Sequence, residues 1–247
     1  MKSVRASGKS SEKTQDHGRD SNDGAQKGRQ KKSGRLTRGS IIESAMAQAD
    51  SNGIHALSMR KLAGTLGVEA MSLYHHISSR EVLLDLMVDR VFEEMTVGGP
   101  EGQNWKSWLV ALSSRMRTVL IRHPWAVGLL DSRRNPGPGT LSYQNARLGG
   151  LRNAGFSMDL AAHAIALQDS FVYGYVVQEL ALPFEDGEVD LEELQGFQNA
   201  MQSGEYPYLQ EMVDQVVSRK DYSFHREWDY GMKMLLAGLE SQFEQSK

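Results

Sequence analysis

Ala70, Met71, Ser72, Tyr74, His75 and His76 crowd into seven positions of the chain, and their side chains suit contact with a nucleic-acid duplex. The Ser72 hydroxyl can bond a base edge or a phosphate, and Ala70 and Met71 offer apolar contact to a thymine methyl. Tyr74, His75 and His76 carry polar ring atoms of the kind that bond phosphate oxygens. Arg60 precedes the cluster and Arg80 follows it, supplying charge on both flanks. The plainer reading of His75-His76 is one satisfied core histidine and one surface residue. A metal pair is disfavoured because adjacent residues on a helix diverge.

These side chains need a scaffold, and the surrounding spacing supplies one. Leu62, Leu66, Val68, Leu73 and Ile77 form an apolar face, Ala63 permits a close crossing, and Gly67 sits where a first helix must end. Two short helices around a glycine turn make a helix-turn-helix, whose second helix enters the major groove. A plain helical hairpin in an all-α core would share part of this pattern. Upstream, Ile41, Ile42, Ala45, Met46 and Ala49 predict an earlier helix ending near Asn52-Gly53. Downstream, Ser78-Ser79-Arg80-Glu81 has capping-box spacing, with Ser78 as the cap of a longer helix that serves as a lever.

From about Leu36 to Met95 the chain resembles the DNA-binding head of the tetracycline-repressor (TetR) family. The resemblance is carried by Leu57-Ser58-Met59-Arg60-Lys61-Leu62-Ala63, Leu66-Gly67-Val68, and Ser72-Leu73-Tyr74-His75-His76 followed by Glu81 and Leu83-Leu84. It implies that Arg60, Ala70, Met71, Ser72, Tyr74, His75, His76 and Arg80 face DNA. It also implies a homodimer reading a palindromic operator and released by a small-molecule inducer. In the tetracycline repressor itself Gln and Pro stand at the positions of Ala70 and Met71, so a different operator is expected.

Charge is unevenly spread. Residues 1–35 carry a surplus of +6, residues 36–80 +1, and residues 81–247 −10. An acidic body is repelled by DNA, so contact falls to the head and the preceding arm. The arm, residues 1–35, is poor in apolar residues and reads as disordered; it is either an electrostatic tether or a solvated tail. The expected division is therefore arm 1–35, head 36–80 and body 81–247. The chain has no cysteine, no apolar run approaching the ~18 residues of a membrane span, and no apolar signal core at its start. A cytoplasmic protein without membrane association is expected.

The body reads as helix throughout, making the fold all-α. The lever is expected over residues 79–95, followed by a helix from Trp105 to His123-Pro124. Further helices are expected from about Leu141 to Asn153 and from Ser157 to about Leu182. A weak one begins at Asp190, a short one opens at Tyr206-Pro207, and a last one runs over residues 224–244. The helices near 158–182 and 224–244 are the candidate dimer seam, through Phe171, Gly174, Tyr175 and Gln178 on one and Trp228, Gly231, Met232 and Leu235 on the other. A mid-helix glycine costs roughly 1 kcal/mol against alanine unless close packing compensates. The competing reading is that these faces fill the monomer core.

Aromatic and sparse polar groups on the body suggest a sensor pocket. Its candidate lining is Trp105, Trp108, Met116, His123, Leu129, Tyr143, His163, Gln168, Phe171 and Tyr175, most of which could equally be ordinary core. Residues 122–182 loosely resemble the tetracycline repressor's drug-binding region, through Ala154-Gly155-Phe156-Ser157 and the Phe171–Gly174 stretch. The histidine and glutamate of its metal–drug site are replaced near Leu129 and Gln178. The resemblance therefore implies no required metal or cofactor and a different inducer. The chain shows no nucleophile elbow, phosphate-cradling glycine loop or paired metal motif. Imagined acid–base pairs, His163 with Asp169 or Glu192 with Glu193, read better as pocket or surface groups. An enzyme is the least favoured class, and a ligand-independent architectural DNA binder is the alternative.

Overall fold

Thr37 opens the first helix, accepting from the Ser40 amide while the Ser40 hydroxyl accepts from the Thr37 amide, so each end of the cap satisfies the other. This computed structural model describes residues 35–100, 104–130, 132–133, 135–182, 206–219 and 222–246, with 196 and 199. Among them there is no strand. The expected arm and the helix from Asp190 lie outside the described residues, apart from Arg35 and the isolated positions 196 and 199.

The head comprises α1 (Arg38–Asn52), a 3₁₀ turn (Ile54–Ala56), α2 (Met59–Leu66) and α3 (Ala70–Tyr74). The long α4 (Arg80–Met95) leads into α5 (Trp105–Arg122), a second 3₁₀ turn (Pro124–Ala126), α6 (Pro138–Asn153) and α7 (Met158–Ala181). The short α8 (Pro207–Met212) runs into a π turn, and α9 (His225–Gln245) ends the described chain. All these helices fall where apolar periodicity predicts them.

Two starts differ from expectation. Ser79, not Ser78, caps α4, accepting from the Val82 amide. Of two adjacent serines the second has the extended backbone a cap needs, and Glu81 is left to pair with Arg133. α6 begins at Pro138 rather than near Leu141. Proline suits a first helical position, and the buried Asp89 of α4 accepts from the amides of Gly139 (3.1 Å) and Thr140 (2.7 Å) and from the Thr140 hydroxyl (2.9 Å). The run Asn135-Pro136-Gly137-Pro138-Gly139 thus contains a capped helix start.

Buried apolar residues join without interruption from Ile41, Leu62 and Leu73 in the head through Leu83, Met87 and Val91 of α4 to Leu112, Met116, Phe156 and Val172 in the body. The head is thus no separate bead on a string. Its core merges with that of the body along α4.

Candidate nucleic-acid interface and ligand site

The α2–α3 corner is set by local chemistry. Ser58 caps α2 through the Lys61 amide, and Gly67 ends it at φ +69°, the left-handed conformation that glycine adopts without penalty. The Val68 amide then bonds the Ala63 carbonyl, turning the chain into α3. Leu62, Ala63, Leu73 and Ile77 are buried between the helices, and the Gln48 side chain donates to Thr65 at 2.9 Å, tying α1 to α2.

With Leu73 sealed inside, the rest of α3 turns outward. Met71 is 69% exposed and Tyr74 44%, a large apolar surface on a five-residue helix that does not cover its own core. His75 and His76 are also exposed, which removes the reading of one as a core histidine. Ala70 and Ser72 are half-buried at the corner, and Arg60 is exposed in the first turn of α2. Arg80 differs from the others. Its guanidinium donates to the Ile54 carbonyl at 3.2 Å and the Leu57 carbonyl at 3.4 Å, so it braces the turn before α2.

α4 is held to the body by acidic residues on successive turns. Arg133 grips Asp85 (2.6 Å) and Glu81 (2.9 Å), Asp89 caps α6, and Glu94 receives Arg122 and His123, each at 3.3 Å. His123 also reaches Asp50 at the end of α1 (2.7 Å), and the Trp125 indole donates to the same carboxylate (2.6 Å). His123 and Trp125 therefore connect head, lever and body at one point. Beside them lies a cavity of about 660 Å³ whose lining includes Ile54, Trp125 and Leu129.

The ten predicted ligand residues do not converge on one place. His123 and Leu129 belong to the head–body junction just described. His163 is exposed on α7. Trp105 packs on Phe156 and Phe243, while Phe171 and Tyr175 pack on Trp228. The buried Trp108 donates to the Gly98 carbonyl at 2.8 Å, and Met116 is wholly buried in the core. Tyr143 and Gln168 share a buried polar cluster. Gln168 donates to Ser113 (2.8 Å) and accepts from Arg147 (2.9 Å), and Arg147 forks onto Asp169 at 2.7 and 3.1 Å. Sequence reasoning passed over Arg147. Its signal was position: it lies one turn from Tyr143 and from Leu151, on the face that is otherwise core.

The seam residues also need correction. Tyr175, Trp228 and Met232 are buried within their own chain, and a Cβ at Gly231 would meet the Phe171 ring at 2.3 Å. That glycine serves an internal crossing of α7 and α9. The faces left open hold the expected Gly174 and Gln178 with Leu167 and Val177 on α7, and Tyr230, Met234 and Gly238 on α9. Added Cβ atoms at the two glycines would touch nothing.

An all-helical body joined by a long helix to a small head with an exposed recognition helix defines a regulator-type architecture. Residues 41–87 match the tetR family of bacterial regulatory proteins, and residues 98–243 match the tetracyclin repressor-like C-terminal domain. The chain belongs to the TetR family. An HTH-type transcriptional regulator of Saccharopolyspora erythraea is 36% identical over 58% of this chain, a match spanning 61% of that regulator's length. The HTH-type transcriptional repressor DrrR1 of Streptomyces coeruleorubidus is 28% identical over 83% of this chain and 77% of its own. In structure, the TetR family protein ActR of Streptomyces coelicolor, in complex with actinorhodin, superposes with a TM-score of 0.70 at 26% identity. That match covers 85% of this chain and 99% of ActR. Among the described residues, no helix is long and apolar enough to cross a membrane, and no group of three or more His, Asp or Glu could hold a metal ion.

Proposed function

We infer that this chain is a ligand-responsive DNA-binding transcriptional regulator, a repressor that leaves a palindromic operator when a small molecule occupies its body. The observation that carries this reading is α3 with the two residues after it, which bury only Leu73 and present Met71, Tyr74, His75 and His76 to solvent beside Arg60. Ala70, Met71 and Ser72 read base edges. Arg60, Tyr74, His75 and His76 hold phosphates, and Arg80 acts by keeping α2 in place. The name of DrrR1 as a repressor and the ligand held by ActR support the same reading.

One five-residue recognition helix offers little affinity, so two copies are needed, with half-sites about a DNA turn, ~34 Å, apart. The open faces of α7 and α9 suit that pairing, since Leu167, Val177, Tyr230 and Met234 leave apolar area exposed on neighbouring helices. The charge distribution supports a basic arm, residues 1–35, that adds phosphate contacts. The ligand is assigned to the body, the part of the chain that corresponds to the ligand-holding domain of ActR. Occupancy is coupled to DNA through α4, with a free energy of about 1–3 kcal/mol. A binding protein of this kind has no catalytic step and no required metal. Localisation with the chromosome, in the cytoplasm, follows from its role.

Selection of genomic fragments on the purified chain, followed by footprinting, tests the reading. A sharp two-fold footprint is expected. Uniform coating of any duplex would point to an architectural protein, and no retention at low salt would sink the proposal.

A further inference from the structure

We propose that the cavity between the head and the body is a second small-molecule site, which takes an aromatic amine with its ammonium group on Asp50 and its ring against Trp125. The site is separate from the one assigned to the body, and binding there does not depend on the regulator reading.

The cavity, of about 660 Å³, has one wall in each part of the chain. Ile54 and the end of α1 come from the head. Pro124, Trp125 and Leu129 come from the second 3₁₀ turn of the body and the residues after it. Small-molecule sites have volumes of this order and walls of this kind, mostly apolar with few polar groups. The polar side chains on the lining are those of Asp50 and His55. Gly128 also lines the cavity, and a Cβ there would touch nothing.

Asp50 sets the charge of the guest. Its Oδ1 accepts from the Trp125 indole at 2.6 Å and lies 2.7 Å from His123. Its Oδ2 receives no hydrogen bond from a described residue, and the side chain is 28% exposed. Glu94, on the far side of the same imidazole, has Arg90 and Arg122 beside it as well. Among the described residues no lysine or arginine reaches Asp50, so its charge is the less compensated of the two. A cation at Oδ2 gains a charge-assisted hydrogen bond and the negative face of the Trp125 ring, which the indole bond to Asp50 holds in place. A neutral hydroxyl would bond Oδ2 but leave the charge as it was, and an anion would be repelled by it. The ring of the amine covers Ile54, Pro124 and Leu129. Such an occupant braces the head against the body, beside the existing bridge from Asp50 to His123.

The test titrates the full-length chain by calorimetry with naphthylmethylamine, with naphthylmethanol and with naphthoate. The amine is expected to bind at least tenfold more tightly than the alcohol, and the carboxylate most weakly. Gly128→Leu, whose side chain enters the open space, should weaken the amine at least tenfold and melt no lower than the parent. Asp50→Asn keeps an acceptor for the Trp125 indole and should bring the amine down to the affinity of the alcohol. In the parent chain the amine should also shift the imidazole resonance that His55→Gln removes from the spectrum, a readout that needs no change to the cavity floor. Equal affinity for amine and alcohol, amine binding unchanged in either folded variant, an unshifted His55 resonance, or no binding of any probe would each overturn the proposal. All of this is read without DNA. A chain that takes the amine here but retains no genomic fragment refutes the regulator reading and leaves this site standing, whereas one that holds DNA and ignores the amine refutes only this inference.

Discussion

Gly150 leaves no room for even one added carbon, because a Cβ there would lie 2.6 Å from the Trp108 ring. Gly150→Ala should cost about 1–3 kcal/mol as the indole is forced off its place beneath the Gly98 carbonyl, read as a lower denaturant midpoint. At the DNA face, Ser72→Ala should weaken operator binding by about 1–3 kcal/mol and relax preference at one base step. Arg60→Ala should weaken all sequences alike and reduce the slope of log affinity against log salt by about 1. Tyr175 gives a pH signature. Burial, with Glu179 nearby, pushes its pKa up to about 12, against about 10 in the unfolded chain. Between those values the unfolded chain releases a proton that the folded chain retains, so stability falls as pH rises through this window. Tyr175→Phe should flatten that fall in melting curves taken at successive pH values. Single residues differ in how readable they are. Gly67 was legible because its left-handed turn is a local property of the spacing around it. Arg147 was not, because the partner that makes its burial tolerable, Asp169, lies 22 positions away on another helix.

Among the elements, α4 has the most revealing surroundings. Asp85, Asp89 and Glu94, spread along that helix, are each engaged by a different part of the body, so its position is specified by charge as well as by packing. Asp89→Ala should be the harshest of these changes. It strips the acceptor from two amides and a hydroxyl at the start of α6, and a loss of about 2–4 kcal/mol is expected by chemical denaturation. The existence of most described helices was readable from apolar spacing, and that of α8 from Tyr206-Pro207, whereas helix starts were not always so. Adjacent serines made the α4 cap ambiguous by one position. The α6 start was hidden because its capping group comes from α4, about fifty residues earlier, rather than from its own flank.

For the whole molecule, the reading turns on assembly. Val177→Glu combined with Leu167→Glu should leave the helical spectrum unchanged while halving the mass seen by analytical ultracentrifugation, because both side chains are exposed in the single chain. A mass that stays dimeric would place the pairing elsewhere. For the proposed seam, the sequence offered α7 and α9 with Gly174 and Gln178, but not which aromatic residues would be free for it. Phe171 and Trp228 have the aromatic character expected of an interface, yet they are spent on joining α7 to α9 within one chain. A practical corollary concerns chimaeras. Since side chains on either side of residue 80 interlock in a single interior, grafting a foreign reading module at that boundary would strand mismatched surfaces on both halves. Re-targeting this protein is better done by exchanging the outward positions of α3 than by swapping heads.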